Sequence, residues 1–155
     1  MTDRLAGVSD DIDGYRTQID NLALAVQAAP GLLGADGPRH YFVAFSTPAE
    51  ARSIGGFVGN YGVLTVDHGA IELSDFGRMT DLVPRAPAEG MRIDLPADFA
   101  DRYGAFDFVQ PSNGLVGPLA WLNIGMSPDF PTMSGIVQQM YTATFGGTAD
   151  GTILM

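Results

Sequence analysis

The sequence predicts an α/β domain, a central mixed sheet with flanking helices, on three observations. Tyr41-Phe42-Val43-Ala44-Phe45 is an unbroken run of aromatic and β-branched residues, the composition of a strand covered on both faces. Phe57 to Leu73 mixes Phe57, Val58, Tyr61, Val63, Leu64 and Val66 with small residues and bends through Asp67-His68-Gly69-Ala70, which is a hairpin signal. Segments with helical spacing lie before and after these strands.

The first element is a helix over residues 1–30. Leu5, Val8, Ile12, Tyr15, Ile19, Leu22 and Val26 recur in alternating steps of three and four, a seam along one helical face. So narrow a seam calls for a partner helix, as in a coiled coil or helical hairpin, and the remaining residues supply none; the partner is expected upstream in a longer parent protein. Gly7 and Gly14 each weaken the helix by about 1 kcal/mol relative to alanine. Pro30-Gly31 is expected to end it.

Residues 31–155 read as a partial α/β domain. Gly34 to Pro38 is a turn-rich connector into the Tyr41 strand, Pro48 stops that strand, and Gly55-Gly56 lets the backbone turn tightly or approach a ligand. After the hairpin, Gly77 to Gly117 carries four prolines and no sustained period, so it reads as a long ordered loop with one short helix near Asp98 to Tyr103. Leu119 to Ile124 fits either a strand or a packed turn around Trp121. Ser127 to Thr132 opens a helix carrying Ile136, Val137, Met140, Tyr141 and Phe145 on one side, with Asp129 placed to cap its amides; Gly146-Gly147 closes it. Gly151 to Met155 begins a strand without a polar exit, and the domain is expected to be incomplete at both ends.

Composition excludes several functions. The formal charge is −10, and all eight basic residues are arginine, so no basic stripe exists to bind nucleic acid or an anionic membrane surface. Without cysteine there is no disulfide, thiol nucleophile or thiolate metal site. No long apolar stretch predicts a transmembrane segment, and no basic-then-apolar leader predicts a signal peptide, so the chain as written reads as soluble.

The runs LLGADGPRHYFVAF and AEARSIGGFVGNYGVLTVDHGAIEL, then NIGMSPDFPT and ADGTILM, resemble the actinobacterial domain of unknown function 4012 family. That family is similar, at a distance, to the LytR-CpsA-Psr phosphotransferases, which move glycopolymers from a polyprenyl pyrophosphate carrier to the cell wall. The resemblance implies a LytR-CpsA-Psr-like fold, an extracytoplasmic location with a membrane anchor in the parent protein, and a polyprenyl pyrophosphate or glycan ligand. Ser46 and Thr47 stand where the family more often carries amides.

Candidate site residues gather at the bend after Phe45. Arg52 beside two glycines can grip a phosphate with two parallel hydrogen bonds, or form an ion pair with Glu50 that fixes the loop. The enzyme hypothesis makes Arg52 and Asp129 catalytic, places substrate on Glu50, Gly55, Gly56, Arg78 and Asn123, and lets Glu50 or Asp129 hold a divalent ion such as Mg2+. The alternatives are a noncatalytic envelope domain that binds a partner or glycan, or an inactive piece of a longer protein. His40 and His68 are isolated and lack metal spacing, and Gly55 to Gly59 lacks the lysine of a phosphate loop. In a monomer, amides of Thr2 to Gly14 should exchange rapidly; strong protection there without a partner helix would remove the case for a missing one.

Overall fold

A computed structural model describes the backbone of residues 2–50, 52–104 and 108–155, and the side chains of these residues outside 2–15 and 17. The elements in order are α1 (Thr2–Leu32), β1 (Arg39–Thr47), β2 (Phe57–Asp67), β3 (Ala70–Arg78), α2 (Phe99–Tyr103), α3 (Phe130–Phe145) and β4 (Gly151–Leu154). Among the described residues, the 3-10 turns Met79–Asp81 and Pro118–Asn123 punctuate the long segment between β3 and α3. The chain forms two compact units, one of residues 1–38 with 66–70 and one of residues 39–65 with 71–155.

In the first unit α1 runs past Pro30, the expected stop, to Leu32. Proline so near the end forfeits only the last full turn's bonding, and the chain recovers with Leu33 N–H donating to the Ala29 carbonyl at 2.8 Å and Ala35 N–H to Pro30 at 2.9 Å. Gly34 then takes φ +71°, and a Cβ there would lie 2.4 Å from the Val66 carbonyl oxygen. Its carbonyl and that of Leu33 accept from the His68 and Gly69 amides of the hairpin turn. Ile19, Leu22 and Val26 of the predicted seam are 65, 64 and 63% exposed. A seam one residue wide fits the groove of another helix better than a pleated surface.

The second unit holds a sheet of order β3-β2-β1-β4. β2 and β3 meet through His68 (φ +47°) and Gly69 (φ +80°), two successive left-handed residues that give the tight turn of an antiparallel hairpin. β1 is antiparallel to β2, since His40 meets Thr65 at one end while Gly56 abuts the Thr47 carbonyl at the other. β4 runs parallel to β1 with Phe42 opposite Thr152 and Ala44 opposite Leu154, which makes the sheet mixed. α3 and the Pro118–Asn123 turn cover one face. There Phe42 is fully buried, stacked on Tyr61 at 5.9 Å and flanked by Trp121 at 5.2 Å and Tyr141 at 6.5 Å. Each such side chain contributes about 1.5–3 kcal/mol by leaving water, with ring geometry adding to that. Trp121 satisfies its indole N–H on the Thr144 hydroxyl at 3.1 Å.

The described residues between Gly77 and Gly117 form the long loop the prolines predict, tied across itself where Met91 and Val109 each bridge to Val116. Leu119 to Ile124 resolves as a 3-10 turn rather than a strand, because Pro118 starts the turn and Ala120 and Trp121 must point together into the core. Gly146, at φ +76°, closes α3 as expected.

Asp150 clamps the entry of the parallel pair. One carboxylate oxygen accepts from the His40 amide and the other from Arg39 Nη1, both at 2.8 Å, while the Asp150 amide donates to the His40 carbonyl at 2.7 Å. Partial burial pushes the Asp150 carboxyl up, but the His40 amide and then Arg39 outweigh it and hold the pKa below the usual carboxylate value. A depressed folded-state pKa contributes stability above the unfolded value, and that stability is lost as pH falls through the folded one. Asp150→Asn should therefore lower stability at neutral pH by about 1 kcal/mol. Denaturant melts across the acid range should show the gap between wild type and variant closing below the ordinary carboxylate pKa.

Candidate functional site

The carboxyl ends of β1 and β4, where open α/β sheets place their ligands, carry the bend that the sequence singles out. Met155 continues β4 alongside β1, its carbonyl accepting from the Ser46 amide at 2.7 Å and the Ser46 hydroxyl at 2.8 Å. From Thr47 the chain turns back through Ile54 (φ +50°), Gly55 (φ +77°) and Gly56 (φ +108°), three consecutive residues in the left-handed half of backbone space. For the two glycines this is permitted; for β-branched Ile54 it costs on the order of 1–3 kcal/mol, a strain that surrounding contacts must hold. At Gly56 a Cβ would sit 2.1 Å from the Thr47 carbonyl oxygen, and at Gly125 one would sit 3.1 Å from the Gly56 carbonyl, so backbone closes on backbone at both points.

Arg52 is the knot of this loop. Its Nε donates to Glu50 Oε2 at 2.8 Å, and Nη1 donates to the Leu122 carbonyl at 3.1 Å and to Asn123 Oδ1 at 3.0 Å. The guanidinium also lies 5.2 Å from the centroid of the Phe57 ring. The half-exposed pair with Glu50 adds little, of order 1 kcal/mol or less, whereas the bonds to Leu122 and Asn123 join the bend to the Trp121 turn. Among the described residues nothing accepts from Nη2, the remaining arm of the fork.

Beside the loop lies a small apolar cleft of about 20 Å³, room for about one water-sized group, walled by Ala44, Ile54, Val58, Ile124, Phe130 and Met133. Its lining is almost wholly apolar; the Thr152 hydroxyl at its edge is already donated to the Ser134 carbonyl.

The structure thus brings together Glu50, Arg52, Gly55, Gly56 and Asn123. Arg78 ends edge strand β3; by the antiparallel pairing it lies at the same end of the sheet, two strands from β1, and is exposed. Asp129 precedes α3, yet its carboxylate caps no amide: it accepts the Thr132 hydroxyl instead, while the Asp129 carbonyl takes the Met133 amide. Glu50 and Asp129 do not make a fit for a divalent ion, since each already holds another group and no cluster of three His, Asp or Glu forms among the described residues.

One cluster escapes sequence reasoning. The Tyr61 hydroxyl accepts from Arg85 Nη1 at 2.8 Å and donates to Asp75 Oδ2 at 3.3 Å, and Arg85 also bonds Asp75 directly at 2.8 Å. Burial, and after it the Asp75 carboxylate, raise the Tyr61 pKa, so the phenol stays a neutral donor and is no general base. The trio fastens the loop after β3 to the sheet, and no spacing in the sequence announces it.

The family model for "protein of unknown function (DUF4012)" matches residues 36–155. The chain belongs to the DUF4012 family. No curated protein and no solved structure matches it. The DUF4012 region contains the whole sheet, the bend and the cleft, and leaves α1 outside. Among the described residues no helix is long and apolar enough to cross a membrane.

Gly56→Ala tests the close approach at the bend. It should lower stability by about 2 kcal/mol or more, from the contact with Thr47 and the positive φ, whereas Gly147→Ala, with open space at its Cβ, should stay within about 0.5 kcal/mol. Urea midpoints of the two variants against wild type give the comparison.

Proposed function

We propose that this DUF4012 domain binds, without turning over, an anionic lipid-linked ligand of the polyprenyl pyrophosphate class, glycan-bearing in its natural form, at the carboxyl ends of β1 and β4. The observation that carries the reading is a guanidinium with one donor arm left over, held in the same loop as Ile54, which lines a small apolar cleft. A phosphate needs the first and a prenyl chain the second. Strain at Ile54, whose side chain lines the cleft, supports a functional bend, because strained backbone gathers at ligand sites.

In this reading Arg52 grips phosphate, Glu50 and Asn123 orient Arg52, and Gly55 and Gly56 let the backbone fold close. Arg78, at the same sheet end, is a second cation for the far phosphate or the glycan, and Asp129 stands at the cleft's α3 border. A distant relationship to the LytR-CpsA-Psr phosphotransferases and an extracytoplasmic, envelope setting in an actinobacterium belong to the same proposal. Turnover is left out of it, because the acids that would activate a nucleophile or hold a metal are engaged with Arg52 and Thr132.

A second reading follows from the three N–H groups that Arg52 spends inside the protein. There Arg52 only shapes the loop, and the domain is a noncatalytic envelope module that meets a protein or glycan elsewhere. Thermal melts of wild type and Arg52→Lys, with farnesyl pyrophosphate or farnesol, separate the two. Ligand binding should raise the wild-type Tm by about 2–4 °C for each kcal/mol of linkage, with less effect in the lysine variant and none from farnesol. An equal response in both proteins, or none in a cooperative wild-type melt, would favour the module.

A further inference from the structure

The apolar seam of α1 has a register that names its partner. Setting Leu5 at heptad position a places Leu5, Ile12, Ile19 and Val26 at a, and Val8, Tyr15, Leu22 and Ala29 at d. Three of the four a residues are β-branched, which favours two parallel strands where leucine stands at d, as it does at Leu22 among Val8, Tyr15, Leu22 and Ala29. Asp3, Asp10, Asp13 and Asp20 fall on the outer positions b and f, and both glycines of the first half, Gly7 and Gly14, fall on c, so the groups that would spoil a seam are kept off it. The helix spans all of these positions without interruption. Ile19, Leu22 and Val26, the described large residues of the seam, lie open to solvent.

We infer that α1 pairs with α1 of a second copy of this chain as a parallel, in-register, two-stranded coiled coil. Charge selects the orientation. In a parallel pair, position g of one helix meets position e of the next heptad on its partner, which brings Asp11 to Arg16 of the second copy and sets no like charges together. In an antiparallel pair with Ile12 facing Leu22, position e meets e and Arg16 meets its own copy. Attraction in the first arrangement and repulsion in the second discriminate between them even where each contact is small. The seam lies outside the region matched by the DUF4012 model, so the inference stands apart from the ligand proposed for the cleft.

The chain contains no cysteine, so a single introduced thiol reports on its own position. Sedimentation velocity of the full chain over a concentration series should give a dimer. Ile19→Asp should abolish it, while Leu24→Asp, equally exposed but at outer position f, should leave it intact. Leu22→Cys should oxidise to a symmetric disulfide between copies. Asp11→Arg should weaken the dimer and Asp11→Arg with Arg16→Asp should restore it. A monomer throughout the series, a trimer or larger species, or a dimer indifferent to Ile19→Asp would each overturn the inference. So would crosslinking confined to an Ile12→Cys/Leu22→Cys pair between copies, the mark of the antiparallel arrangement. Circular dichroism of Ile19→Asp at matched concentration confirms that the sheet unit remains folded.

Discussion

Two strands that run in the same direction cannot be joined by a turn, and this constraint organises the whole domain. β4 pairs parallel with β1, so the chain leaving β3 on the far edge must travel across the sheet before it can return. That journey is the segment from Met79 to Asp150, and it cannot cross open water. It lays Trp121, Met133, Val137 and Tyr141 over Phe42, Ala44 and Tyr61, and so makes the crossover itself the second layer of the core. Asp150 then sets the register at the start of the parallel pair, and the Ser46 to Met155 bonds hold its end.

The site is a by-product of the same geometry. A crossover that must begin and end at opposite ends of the sheet leaves the first turn of α3 beside the carboxyl ends of β1 and β4, and the loop after β1 has to fold back over that gap to reach β2. Three left-handed residues make the reversal, and Arg52 ties the result to the Trp121 turn. The guanidinium is therefore a structural tie, and its planar fork has more donors than the loop consumes.

Among the described residues, exposed apolar side chains on β3 and on α1 differ in character. On β3, Ile71, Leu73 and Phe76 are exposed along a sheet edge, with Phe76 resting on Phe45 at 5.7 Å. On α1 the apolar residues recur in the sequence in steps of three and four, and the described ones among them, Ile19, Leu22 and Val26, are exposed. The first is a broad patch with no register of its own. The second carries positional information, and positional information is what allows a partner to be argued from chemistry.

The sequence by itself determined the local elements and their order. The Tyr41 run, the hairpin through Gly69, the α3 helix closed by Gly146 and the short helix near Asp98 are legible because their signals, apolar period, left-handed glycine and proline position, act within a few residues. The gathering of Glu50 and Arg52 beside Gly55 and Gly56 was legible for the same reason. Only the tertiary structure decided how distant segments share a site: that Asn123, some 70 residues on, would accept from Arg52, that Asp129 would turn to Thr132 and leave the helix amides, and that Tyr61, Asp75 and Arg85 would meet. Those outcomes depend on which face each element buries and on which edge of the sheet receives β4. Such choices are settled by burial summed over the whole core, and no local pattern in the sequence encodes that sum.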